Sequence, residues 1–434
     1  MNEILFGLFG LAVLVGIAWL FSRNKKAVDW KLVATGLLLQ LAFASFVLLT
    51  PWGSRVFDAL AHGFVTLSGF TMQGSQLVFG SLTDQAKVGF VFAFQVLPTV
   101  IFFASLMGVL YHLGVMQWVV RGMAWAITRV MRVSGAETTS VCASVFIGQT
   151  EAPLTVRPYI ARMTDSELLT MMIGGMAHIA GGVMATYIQL LGKGDPIQQA
   201  LYAKHFLAAS IMAAPATLLV AKILVPETGE PLTRGSVRLN IERTTSNIID
   251  AAAAGAADGL KLALNIGAML LAFVALIAML NAMIAWGADS SGLTGWINAG
   301  RAVPVPINLG SILGTLLSPV AWLIGIPWKD ATIAGGLIGQ KIVLNEFFAY
   351  LQLSSIGVGD GVGQIGAHTR LILTYALCGF ANFSSIAIQI GGIGSLAPER
   401  RHDLARYGLL AVLGGTLATF MTATIAGVLS QYAG

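Results

Sequence analysis

Eight runs of this chain, at 4–21, 32–50, 88–113, 168–191, 205–225, 262–286, 368–393 and 404–429, are almost continuously apolar. A helix rises ~1.5 Å per residue, so about 20 residues cover the ~30 Å hydrocarbon core of a bilayer. No water in that core can satisfy a free amide, so such runs fold as helices that bond their own backbone. Charged residues make up 10% of the chain and hydrophobic ones 56%, with mean hydropathy +0.79; a soluble domain carries roughly 25% charge. The expected fold class is an all-α polytopic membrane protein with eight transmembrane helices.

The net charge of +5 is scattered in short Lys and Arg clusters between the runs, which disfavours a nucleic-acid partner and suits orientation in the membrane. Glu3 precedes the first run, and Arg23, Lys25 and Lys26 follow it. That polarity is the reverse of a signal peptide. It predicts a retained anchor with its amino terminus outside the cytoplasm. Arg121, Arg129, Arg132, Arg157 and Arg162 before the fourth run, Arg234, Arg238 and Arg243 after the fifth, and Arg400, Arg401 and Arg406 before the last keep the same alternation. Both termini are then expected outside, in a multi-pass protein of the cell (inner) membrane. Two isolated cysteines, Cys142 and Cys378, make neither a disulfide framework nor a structural zinc site.

Three further apolar stretches, 56–70, 116–131 and 309–326, are interrupted by charges, Gly or Pro and are expected as interfacial helices. Two others, 138–160 and 331–353, carry polar residues at their midpoints. Arms of about ten residues span ~15 Å, half the core thickness, so both segments read as re-entrant hairpins. The first contains Ile147, Gly148 and Gln149, then Glu151; the second contains Ile338, Gly339 and Gln340, then Glu346. Each is followed by a long run with a polar residue beside small ones, Gly175 to His178 and Gly379 to Asn382. Under the charge-based topology the two units enter from opposite sides, which is an inverted repeat of the kind found in secondary transporters. The expected organisation is amino-terminal spans and an interfacial helix at 1–87, a first repeat at 88–225, a cytoplasmic connector at 226–261, a second repeat at 262–393 and a last span at 394–434. The alanine-rich segment 251–257 reads as a small-residue packing face.

A carboxylate at mid-bilayer costs at least ~2.5 kcal/mol and is kept near a partner or a water-filled cavity. Glu151 and Glu346 are therefore the functional candidates, against the alternatives of a solvated loop glutamate at 151 and a buried Glu346–Lys341 pair. Gln149 and Thr150 add an amide and a hydroxyl, a set that suits the edge of a heterocycle. Read by themselves, Asn382, Ser384 and Ser385 are equally suited to interhelical hydrogen bonding, and His178 to a satisfied core position.

The run Gly148 to Pro153 with Arg157 and Pro158, the triplet Asn345, Glu346 and Phe347, and the stretch Gly379 to Ser385 resemble the three signatures of the concentrative nucleoside transporters, in the family's order. This resemblance implies interfacial helices, two opposed hairpins and a homotrimer in which each subunit has its own pathway. It implies that Gln149, Thr150, Glu151, Val183 and Phe380 contact the nucleobase and that Glu346, Asn382 and Ser385 hold the ribose. It places a sodium site at Ser144, the Ile147 carbonyl, His178 and Ile179. Two side chains there depart from the family pattern, and histidine is a poor ligand for a hard alkali cation; His178 and Glu151 can instead carry a proton. The coupling ion is thus H+ or Na+, with no other cofactor or metal expected. The function implied is secondary active uptake of nucleosides with a cation. A passive channel would need a continuous polar lining. An intramembrane enzyme using the two glutamates as acid and base lacks support, because the chain has no zinc-protease motif and no serine nucleophile elbow.

Overall fold

The structure is a computed structural model that describes residues 3–234, 245–300, 304–359, 361 and 363–432. Its amino-terminal part runs α1 (Glu3–Leu20), α2 (Trp30–Leu49), α3 (Pro51–Phe79), α4 (Gln85–Val88), α5 (Phe92–Gln95), α6 (Leu97–His112) and α7 (Val115–Met131). The first hairpin segment follows as α8 (Gly135–Ser144), a 3-10 turn over Ala152–Val156 and α9 (Arg157–Ile160). Next come α10 (Asp165–Ala177), α11 (Gly181–Gly192), α12 (Pro196–Leu224), α13 (Ile248–Ser290) and α14 (Leu293–Asn298). α15 (Leu309–Leu323) precedes the second hairpin segment, α16 (Trp328–Val343) and α17 (Glu346–Ser355), which is followed by α18 (Ala367–Ala376), α19 (Phe383–Leu396) and α20 (Arg401–Ser430).

Among the described residues, seven helical spans are long and apolar enough to cross a membrane, or eight if the α15–α16 pair, bent by 116°, counts as one. The fourth expected run is α10 and α11, broken at 178–180. The seventh, at 368–393, is α18 and α19, separated by 377–382. Stretches expected as interfacial helices are α3, α7 and α15. The hairpin unit followed by a broken helix occurs twice, as the inverted repeat requires, and the all-α polytopic expectation holds.

Local sequence explains where these helices start. Thr164 and Ser134 open α10 and α8 with capping boxes closed by Glu167 and Glu137, which satisfy amides that no helical carbonyl reaches. The core gathers around α10, α12 and α20, where Leu168, Met172, Phe206, Leu219, Tyr407 and Met421 are buried. Two of the basic clusters meet at one end of the molecule. Arg23 donates to the Tyr407 hydroxyl (3.1 Å), that hydroxyl donates to Asp165 (2.7 Å), and Arg400 pairs with Asp165 (3.2 Å). Arg234 bridges Ser134 through its backbone at the base of the first hairpin; Arg238 and Arg243 lie outside the described residues.

The segment 251–257 does pack through small residues. It lies along α6, and a methyl group added at Gly108 would sit 2.7 Å from the Ala251 carbonyl oxygen, one at Gly255 2.6 Å from that of Ala104. Backbones this close gain dispersion contacts without an aqueous driving force. Gly255→Ala is therefore expected to lower the melting temperature in detergent, although Ala normally improves a helix by about 0.5–1 kcal/mol. Gly287→Ala on the same helix, where nothing lies within 4 Å, serves as control and should leave it unchanged or raise it. Equal behaviour of the two variants would show that α6 and α13 are not in contact.

Candidate functional site

The two helix breaks cross each other. The Phe380 amide donates to the His178 carbonyl (3.4 Å), and a methyl group at Gly379 would lie 2.8 Å from the Met176 carbonyl oxygen and 3.0 Å from that of Ala177. Gly379 has φ +153, a backbone that side chains rarely adopt. The tip of the first hairpin docks on the same crossing, since the Gly181 amide donates to the Phe146 carbonyl (3.0 Å). Residues 178–180 thus sit against the tip that carries Ile147.

Asn382 caps α19, where its Oδ1 accepts from the Ser385 amide (2.9 Å) and from the Ser384 hydroxyl (2.7 Å). An amide whose oxygen faces donors turns its NH2 the other way. That Nδ2 donates to Glu346 Oε2 (3.0 Å), and the Tyr187 hydroxyl donates to Oε1 (2.9 Å). Glu346 is 5% exposed and has a partner on each oxygen, drawn from α11 and from the α18–α19 break. Its expected alternative partner, Lys341, donates instead to the Ala376 carbonyl (3.1 Å) and Thr419 Oγ1 (3.3 Å), and no Glu346–Lys341 ion pair forms.

Gln149 is held in a similar way. Its Nε2 donates to Ser385 Oγ (3.1 Å), and its Oε1 accepts from Gln389 Nε2 (3.3 Å), which also donates to the Met172 carbonyl (2.9 Å). The first hairpin tip is therefore fastened to α19 by a side-chain chain that runs on to α10. Glu151 is exposed, and its carboxylate folds over Gly148, where a methyl group would meet Oε2 at 2.1 Å.

These tips open onto one cavity of about 1160 Å³. Gln149, Thr150, Glu151, Val183, Phe380, Glu346, Asn382, Ser385 and Ile147 all line it. Ser144, His178 and Ile179 do not line it and are buried behind the tip. Ser144 Oγ donates to the Ser140 carbonyl (3.0 Å). His178 Nδ1 lies 2.7 Å from the Gly174 carbonyl oxygen, and the ring is buried beside the backbone of Ser210. No cluster of His, Cys, Asp and Glu with metal-binding geometry occurs among the described residues. The opposite wall comes from α6 and α13 and includes Tyr111, Asn265 and Met269. Tyr187 and Gln389, which hold the two proposed contact residues, were not singled out from sequence. Each lies four residues beyond a residue that was, Val183 and Ser385, which is the helical spacing that puts them on one face.

The geometry is that of a membrane transporter whose central cavity is built from helix breaks, and sequence comparison gives the family. A family profile described as the C-terminus of a Na+ dependent nucleoside transporter matches 205–427, the corresponding N-terminal profile matches 9–82, and a "Gate: Nucleoside recognition" profile matches 93–194. The Helicobacter pylori nucleoside permease NupC is 42% identical, over 98% of this chain and 97% of that protein. Sodium/nucleoside cotransporter 1 of Mus musculus is 38% identical over 97% of this chain and 63% of the longer mouse protein. Among solved structures, CNTnw in an inward-facing substrate-bound state is 43% identical with a TM-score of 0.89, covering 100% of this chain and 99% of that one. A variant of the same protein in an outward-facing state gives 42% identity and again a TM-score of 0.89, with coverage of 100% and 99%. The chain belongs to the Na+-dependent, concentrative nucleoside transporter family. Its members are transporters, not enzymes, and the resemblance drawn from the three signatures is borne out.

The crossing itself can be tested without substrate. Gly379→Ala places a methyl group against two carbonyl oxygens and forces a rarely adopted backbone, which costs about 1–3 kcal/mol. The purified variant is expected to melt several degrees lower than wild type; an unchanged melting curve would mean the two breaks do not touch.

Proposed function

We propose that this protein is a secondary active symporter that takes up nucleosides with Na+ by alternating access. The observation that carries the reading is that Glu346, from one hairpin unit, and Gln149 and Glu151, from the other, line the same cavity. Glu346 holds the ribose. An ionised carboxylate accepts from a vicinal diol, and Asn382 and Ser385 stand beside it to complete the set. Gln149, Thr150 and Glu151 face the base, with Val183 and Phe380 on its apolar surface. No Arg or Lys stands among these contacts to receive the phosphates of a nucleotide.

The cavity extends from the hairpin tips toward His112, Thr245 and Arg157, the end that the charge pattern assigns to the cytoplasm. That makes this an inward-facing arrangement with both termini outside, in the cell (inner) membrane. The two hairpin units and their broken helices form the moving part, and the small-residue seam of α6 and α13 forms part of the fixed wall. The homotrimer follows from the family resemblance.

Na+ is bound by Ser144, the Ile147 carbonyl and the backbone of His178 and Ile179, where the C-terminus of the half-helix α10 presents partial negative charge. Filling that site orders the first hairpin tip and tightens nucleoside binding, and the linkage is reciprocal. His178 at the end of α10 carries the second reading, in which a proton taken up there replaces Na+.

Uptake into proteoliposomes decides the matter. An imposed Na+ gradient is expected to accumulate uridine above its external concentration, whereas uptake driven by a pH gradient alone would select the proton reading. Equilibration without accumulation under either gradient would make the protein a passive pathway. Glu346→Gln is expected to raise the uridine KM ten- to a hundredfold, from the roughly 1.5–3 kcal/mol of a hydrogen bond to a charged group. An unchanged KM would remove the ribose assignment.

A further inference from the structure

Lys341 is fully buried in the last turn of α16, in the arm that leads to Glu346. Its ammonium makes no ion pair among the described residues. It donates to the Ala376 carbonyl, the last residue of α18, and to Thr419 Oγ1 on α20. An unpaired buried ammonium is costly, so its retention needs an electrostatic reason. The half-helix α18 ends inside the protein, and the C-terminus of a helix carries partial negative charge from carbonyls that have lost their helical partners. The ammonium sits on that end.

The first repeat has a matching end without a matching lysine. The half-helix α10 also terminates inside the protein, at Ala177. Gly379, three residues beyond Ala376, packs against the Met176 and Ala177 carbonyl oxygens and against Thr419. Two half-helix C-termini therefore meet at the crossing. One is capped by a covalently attached cation, and at the other the proposed function places the free coupling ion.

We propose that Lys341 is the second repeat's tethered counterpart of the coupling cation: its ammonium caps α18 and so positions Asn382 and Glu346 for the sugar. It is a positioning residue that touches no substrate. The chain from Ala376 to Asn382 is short, and Asn382 donates to Glu346 Oε2, so a shift of the α18 end moves the sugar contacts directly. Repeat one takes its cation from solution, whereas repeat two carries its own. This inference rests on the nucleoside reading above.

The test compares uridine with 2′,3′-dideoxyuridine in proteoliposomes of wild type, Lys341→Met and Lys341→Ala. Lys341→Met keeps much of the side-chain length and removes the charge. It is expected to raise the uridine KM at least tenfold and the dideoxyuridine KM less than threefold, with the Na+ concentration for half-maximal uptake kept. In Lys341→Ala, ethylammonium added to the assay should recover part of the uridine affinity, whereas equimolar ethanol should not. A Lys341→Met protein with wild-type uridine KM overturns the assignment, as does an equal loss for both nucleosides or the absence of any recovery with ethylammonium. If Lys341→Met does not insert, Thr419→Val carries the question. Loss of one acceptor should raise the uridine KM three- to tenfold with the dideoxyuridine KM unmoved, and an unmoved uridine KM overturns the proposal. Wild type that transports no nucleoside under any gradient would instead overturn the function on which the proposal rests.

Discussion

A carboxylate deep in an apolar bundle must have donors on both oxygens, and the structure depends on meeting that requirement at Glu346. Tyr187 reaches one oxygen from α11, and Asn382 reaches the other from the break between α18 and α19. Neither donor is local in sequence. The carboxylate therefore ties together the second hairpin unit, a helix of the first repeat and the second broken helix, and the surrounding polar network follows from it. Asn382 can turn its NH2 toward Glu346 because its oxygen is occupied by the Ser385 amide. Ser385 in turn receives Gln149 from the first hairpin tip.

The remainder of the architecture separates two kinds of packing. Around the cavity, backbone polarity is exposed on purpose, at ends of half-helices and at hairpin tips, and is met by side chains such as Lys341, Gln389 and Asn345. Between α6 and α13, by contrast, Gly108, Gly255 and Gly259 let two apolar helices approach backbone to backbone, with Ser105 Oγ donating to the Ala252 carbonyl (2.9 Å) across the seam. An interface of the second kind stays put, because it has one well-fitted arrangement. A network of the first kind can exchange partners with a sugar, a base or an ion of similar geometry, which is what a site that must bind and release requires.

Much of this was legible from residues alone. The apolar runs placed most spans to within a few residues, because length and hydropathy act locally, but α12 and α13 begin at Pro196 and Ile248, nine and fourteen residues ahead of their runs, where polar residues extend the helices beyond the apolar stretch. The pairing of His178 with Asn382, each at a break in a helix, exposed the repeat, since polar residues in lipid are too costly to be incidental; Gly148–Gln149 and Gly339–Gln340 do not correspond, because the first pair lies in the unwound hairpin tip and the second inside α16. Tyr187 and Gln389 were not visible in the same way. A tyrosine or a glutamine in a helix has no periodic signature of its own, and what makes each matter is the partner brought to it from 159 and 240 residues away. The Glu346–Lys341 pair failed for a related reason: proximity in sequence suggested it, but the lysine reaches the end of α18 and α20 instead.

Amino-acid order by itself determined that this chain crosses a membrane as helices, that it does so as two similar units, and that Glu151 and Glu346 stand out as carboxylates in apolar sequence. These follow from the energy of placing each residue in hydrocarbon, which is additive and local. Tertiary structure alone decided that the breaks at 178–180 and 377–382 cross, which oxygen of Glu346 each donor takes, and which helix end Lys341 caps. Those outcomes depend on directional hydrogen bonds between segments far apart in the chain, and directions exist only once the helices have been packed.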